Sequence, residues 1–220
     1  MKKLFSILFI ALGVSVFAQE TITEGVANSK MTLSSSNSQI SAQFAMVGDI
    51  NSITYFKGNS SRTETSNIMT GNSVSIIDTD AQEMLTYMDN PMAGKLYMKQ
   101  STVPNEEDLK DVTIEKTGET KEFLGYTCTK YVVTINKNGT PTNMELYTTD
   151  KVSAVSNQTA TLGSGFEGYP LYMKVVSGQP GNDMIITVEV TEVKQEAVAS
   201  DKFDMTPPEG YKETDNLGGM

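Results

Sequence analysis

The sequence predicts a mostly β protein: a single large curved antiparallel sheet or open half-barrel of about 10–11 strands, with one or few short helices. Three observations predict it. Thr occurs 26 times and falls with Val, Ile, Tyr and Met in short runs that alternate apolar and polar, the period of half-buried strands. These runs recur about every 10–15 residues across tight turns, a spacing that favours an antiparallel meander. No composition break or long linker divides the chain, so one domain is expected over residues 19–212, with 213–220 as a flexible tail. A sheet of that size cannot stay flat. Its twist makes it curl, and one apolar face must be covered by a helix, a lid or the sheet itself.

The elements follow in order. Thr21 to Leu33 reads as the first strand, and residues 51–57 alternate cleanly before the turn pair Gly58-Asn59. Arg62 to Met69 returns. Val74 to Ile77, a turn at Asp78-Thr79-Asp80 and Glu83 to Met88 make the next hairpin, and Leu96 to Lys99 is followed by an acidic loop at Glu106-Glu107-Asp108 and then Val112 to Glu115. In the second half Thr127 to Ile135 and Thr142 to Thr148 flank Lys137-Asn138-Gly139, a favoured hairpin turn. Lys151 to Leu162 is the one plausible helix, ended by Gly163 and Gly165. Tyr169 to Val176 and Met184 to Val193 form a last long hairpin. From Met205 a Pro-Gly tail drapes over the sheet edge and frays after Tyr211.

Composition narrows the chemistry. The 220 residues contain no His, which excludes Ser-His-Asp and Cys-His relays and His-held zinc, copper or haem. A net charge of −10 opposes nucleic-acid binding and anchoring to anionic lipid surfaces. Lys2 and Lys3 precede an apolar stretch from Leu4 to Phe17, and Val16-Phe17-Ala18 suits cleavage before Gln19. Residues 1–18 therefore read as a signal peptide, with an uncleaved anchor as the competing reading. Cleavage implies a periplasmic or secreted protein that does not span a membrane. The single Cys128 forms no intramolecular disulfide and lies too far downstream for lipid attachment at a mature N-terminus.

Candidate sites are sparse. Met84, Met88 and Met92 stand four apart, with Met69 and Met98 nearby; thioethers can hold Cu(I), but the even spacing on a strand favours core or cavity lining for a flexible apolar ligand, with an exposed partner surface as a further alternative. Tyr side chains spread over most strands would pack in the core or touch ligand tails. The candidate lining of a concavity is Tyr55, Met69, Met84, Met88, Tyr97, Tyr131, Met144 and Tyr172. Cys128 has Lys130 on the same side of its strand as its one nearby cation, a thin case for a nucleophile against an inert buried thiol. Asp78 and Asp80 lack the spacing of a calcium loop and read as turn stabilisers. No catalytic residue, metal or cofactor is assigned.

Several stretches carry a resemblance: residues 53–62, Ile76-Ile77-Asp78-Thr79-Asp80, Met84-Leu85-Thr86-Tyr87-Met88, Gly125 to Tyr131 and the closing Phe203 to Tyr211. In that order they resemble exported envelope proteins of Gram-negative bacteria grouped as domain-of-unknown-function family 4412, over about Thr21 to Lys212. That family is thought to be related to LolA-like periplasmic lipoprotein carriers, so the resemblance implies a curved antiparallel sheet around helices and a hydrophobic cavity. It implies non-enzymatic binding of an acyl chain, lipid or lipidated protein. The carrier group closes its cavity with several helices, whereas this chain shows one poor helix. A structural or protein-interaction module of the envelope is the alternative expectation.

Overall fold

A computed structural model describes residues 20–67, 71–137, 140–163, 165–179 and 181–217. The expected signal peptide, Met69 and the Asn138-Gly139 turn lie outside them. Eleven strands appear where the alternation places them: β1 (Glu24–Ser34), β2 (Ile50–Lys57), β3 (Ser60–Asn67), β4 (Gly71–Asp78), β5 (Glu83–Asn90), β6 (Gly94–Ser101), β7 (Val112–Phe123), β8 (Tyr126–Lys137), β9 (Thr140–Thr149), β10 (Tyr169–Gln179) and β11 (Asn182–Gln195). A twelfth, β12 (Lys212–Glu213), was not expected. All join one sheet in the order β12-β6-β5-β4-β3-β2-β1-β11-β10-β9-β8-β7, antiparallel except for β12 beside β6.

Connectivity makes the sheet curl. Ten inter-strand steps separate β6 from β7, about 48 Å if the sheet were flat at ~4.8 Å per step. The chain joins them through residues 102–111, which reach at most about 38 Å when fully extended. This connection also contains a helical turn, α2 (Glu106–Leu109), which shortens it further. The two edges must therefore bend toward each other, as twist alone favours.

Side chains of the concave face meet a segment that was expected to be a helix. Residues 151–162 contain turns and irregular backbone and no helix. Val152, Ala154 and Ser156 are buried alternately, the period of a strand, and β-branched and hydroxyl residues here favour extended backbone and turns over a helix. The segment forms a bridge between Val152 and Ile22, donates from the Val155 amide to Ser61 Oγ at 2.8 Å, and in its continuation packs Phe166 at a tilt against Tyr131 with centroids 5.1 Å apart. It thus spans the concavity from β3 to β8 and fills much of it.

The longest helix among the described residues, α1 (Ser38–Val47), joins β1 to β2. Asn37 Oδ1 caps it by accepting from the amides of Gln39 and Ile40. Asp183 fastens the approach by accepting from both hydroxyls of Ser35 and Ser36 and from the Ser36 amide, contacts that hold its carboxyl below the usual range.

Two buried clusters form the core. One gathers Ala27, Phe56, Tyr126, Cys128, Leu171 and Val190; the other gathers Tyr131, Val133, Met144, Leu146, Leu162 and Met173. Each fully buried large side chain stabilises the fold by about 1.5–3 kcal/mol relative to exposure.

Candidate functional site

The register sorts side chains of β2 to β6 between two faces. Thr54, Thr63, Ser75, Thr86 and Met98 lie side by side across these strands on the concave face, and Phe56, Ser61, Ile77, Met84 and Gln100 form the neighbouring row. Hydroxyls dominate, and they satisfy one another. Ser52 pairs with Thr65 at 2.8 Å, Thr54 with Thr63 at 3.0 Å and Ser75 with Thr86 at 3.0 Å. Self-pairing offsets the cost of taking these hydroxyls out of water on a face that is part-buried at the first two pairs and buried at the third.

The opposite face of the same strands carries Tyr55, Arg62, Glu64 and Tyr87, and the C-terminal segment lies across it. Glu24 accepts from the Val198 amide at 2.8 Å, Arg62 donates to the Lys202 carbonyl at 3.2 Å, and Lys202 pairs with Glu64 at 3.2 Å. The Lys202 ammonium sits 4.1 Å from the Tyr55 ring centre, and Tyr211 packs edge-on against Tyr87 at 5.5 Å. Past Tyr211 the described chain continues to Leu217 along the sheet edge. Lys212–Glu213 pair with β6, the Thr214 amide donates to the Tyr97 carbonyl, and the chain rounds the sheet edge so that Leu217 is buried on the concave side.

Where the tail re-enters, a groove of about 350 Å³ opens between β4 to β6, the inner segment and the tail. Met84, Met98 and Leu217 supply its apolar surface. Ser75, Thr86, Gln100 and Asn157 supply hydrogen-bonding groups, and Asp215 with Asn216 closes the tail side. Its volume falls at the lower end of ligand-sized clefts. A second pocket, beside Thr54, Gln158 and Met173, holds about 30 Å³, the room of a single water.

The sequence-predicted residues divide between faces. Met84, Met88, Tyr131 and Met144 are on the concave side and buried, but of these only Met84 lines the groove; Tyr131 and Met144 are packed into the second core cluster. Tyr55 and Tyr97 face outward under or beside the tail, with the Tyr97 phenol raised by burial and then by Glu213. Tyr172 stacks on Phe123 at 5.5 Å, in an aromatic group with Tyr147. Met92 is 96% exposed at the β5–β6 turn, so Met84, Met88 and Met92 do not converge. Sequence reading missed Gln100, Asn157, Asp215 and Leu217 as lining. Met98 had been noted, and its position opposite Thr86 would have placed it beside Met84 once register was known.

Elsewhere, Cys128 is fully buried, and burial pushes its thiol up to about 11. Lys130 is held between Glu145 and Glu119 at 3.0 and 3.1 Å, which raises its ammonium well above the usual lysine value. It is therefore a structural cation, pointing away from thiol activation. Asp78 Oδ1 accepts from the amides of Asp80 and Ala81, the turn role expected of it.

No protein of curated function matches this chain. Among solved structures, the chain is similar to PNGF-II in a C2 crystal form, at 18% identity and a TM-score of 0.45, covering 86% of this chain and 30% of that one. The P21 form of PNGF-II gives 19% identity and a TM-score of 0.48, covering 88% and 32%. The chain thus spans about a third of the length of the structures it matches. A family model matches residues 30–211, most of the chain, and the protein belongs to that family, described as Domain of unknown function (DUF4412).

Proposed function

We propose that the protein is an exported, non-enzymatic binding protein whose groove takes the hydrocarbon chain of a lipid, an acylated molecule or a lipidated polypeptide. The observation that carries this reading is the groove itself: about 350 Å³, with Met84, Met98 and Leu217 against which a chain can pack and a polar rim to orient a head group. Pliable Met side chains suit a flexible occupant. Described residues of the 150–168 segment, among them Val152, Ala154, Ser156 and Leu162, are buried across the rest of the concavity, so the ligand is slender and only its end enters. The hydroxyls of Ser75 and Thr86 are bonded to each other, and Asp215 is the one ionisable side chain among the described lining residues, which supports binding over proton-transfer chemistry at this site.

Native mass spectrometry of protein purified without detergent, together with titration of a fluorescent dodecyl-chain probe, tests the proposal. One saturable site is expected, and Met98→Asp should weaken it at least about ten-fold by placing a carboxylate against the chain. Ligand-free protein with no probe uptake, or a Met98→Asp variant that binds as the parent does, contradicts the reading.

A second reading has its own observation. Among the described residues, β12 pairs with the outer edge of β6 at Leu96 and Tyr97, with Thr214 adding one bond, so the rest of that eight-residue strand offers an edge to an extended partner segment. Deleting residues 212–220 would then increase capture of such a peptide without any probe bound.

A further inference from the structure

The groove is chemically one-sided. Among the described residues, its lining contains one ionisable side chain, the exposed carboxylate of Asp215, and no Lys or Arg. The amide side chains of Gln100 and Asn157 can accept or donate and so leave charge selection to Asp215, and the whole chain carries a net charge of −10. A carboxylate or phosphate head whose chain lay against Met84 and Met98 would meet Asp215 with no cation in the lining to offset it. An ammonium head would meet a carboxylate and uncharged amides, and the field of the molecule would draw it in. The floor accepts hydrocarbon of any origin; the rim discriminates by charge.

We infer that the groove selects single-chain amphipaths with a cationic amine head over those with an acidic head, and that Asp215, carried by the C-terminal tail, is the specificity-determining residue. This rests on the groove being the binding site. The tail's placement gives the inference its structural content, because Leu217 contributes to the apolar surface while Asp215, two residues earlier, sits at the rim. Chain and head are thus read by one short segment, anchored through the Thr214 amide on the Tyr97 carbonyl.

Dodecylamine, dodecanol and dodecanoate share one chain and differ only in the head. Each is titrated into the full-length protein below its micellar concentration at pH 7, by calorimetry and by native mass spectrometry, with Asp215→Asn and Glu189→Gln variants in parallel. Glu189→Gln changes net charge equally, but lies on β11 away from the groove. The inference predicts affinity in the order amine, alcohol, carboxylate. Asp215→Asn should weaken dodecylamine by roughly two- to five-fold, the range of an exposed ion pair, strengthen dodecanoate and leave dodecanol unchanged. Glu189→Gln should leave the order intact with a smaller change. Equal affinity for all three, or an equal response to both substitutions, overturns the selectivity while leaving the groove as a chain-binding site. Failure of all three to bind overturns both readings.

Discussion

Leu124 is one of two described non-glycine residues with a positive φ, Gln82 being the other, and here local conformation and side chain disagree. It occupies the two-residue turn between Phe123 and Tyr126 with φ +53°, followed by Gly125 at φ +81°. A hairpin loop with both φ values positive is the type that Asn-Gly makes well, and a leucine there holds a left-handed backbone at a cost of about 1–2 kcal/mol. Leu124 is also 46% exposed, so its side chain returns little in packing. Replacing it by Asn should raise unfolding stability by about 0.5–1 kcal/mol, read from the midpoint of urea denaturation. Cys128 makes the opposite case, a residue whose surroundings suppress its chemistry. With its thiol near 11, about one molecule in a thousand is thiolate at pH 8, and burial blocks approach. A chromogenic disulfide reagent should label native protein far more slowly than protein in denaturant; rapid native labelling would show that the site opens.

Among elements, the C-terminal segment depends most on charge. Glu24 and Glu64, which accept from Val198 and Lys202, are both held below the usual carboxylate value of 4.5. The Val198 amide contributes most at Glu24. At Glu64 burial pushes upward and is outweighed by Arg62 and Lys202. A carboxylate with a depressed folded-state pKa contributes fully above its unfolded value and loses that contribution as the pH falls through the folded one. Docking of residues 196–211 should therefore be intact at pH 7 and weaken below about pH 4. Hydrogen exchange at pH 3 should show backbone amides of the tail opening while β1 and β11, central in the sheet, stay protected; simultaneous opening would make the tail part of the cooperative core.

Elements also show what sequence reading reaches. Strands were readable because alternation has period two and survives without knowledge of partners, as in residues 51–57. The inner segment was misread because Val152, Ala154 and Ser156 alternate like a strand amid Ser and Thr, and their burial depends on the curvature above them. Helix α1 left a fainter signal, an Asn37 cap followed by Ile40, Phe44 and Val47 at helical spacing, on a helix with no buried residue. β12 is two residues long, below any pattern.

For the whole molecule, curvature is the property that creates a site. It follows from a chain connection too short for a flat sheet, a fact hidden in the sequence until strand order is known. The groove combines β4 to β6, Asn157 and Leu217, which are scattered from position 75 to position 217, so no local motif could announce it. Face assignment was the other missing quantity: Tyr55 and Phe56 are adjacent and equally aromatic, yet one lies under the tail and the other in the core. Methionine resonances can read the groove directly. Carbon-13 methyl spectra of Met-labelled protein, titrated with dodecylamine, should show saturable shifts at Met84 and Met98 with Met144 and Met173, buried in the second cluster, unmoved. Shifts confined to the exposed Met46 and Met92, or none at all, would contradict a ligand in the groove.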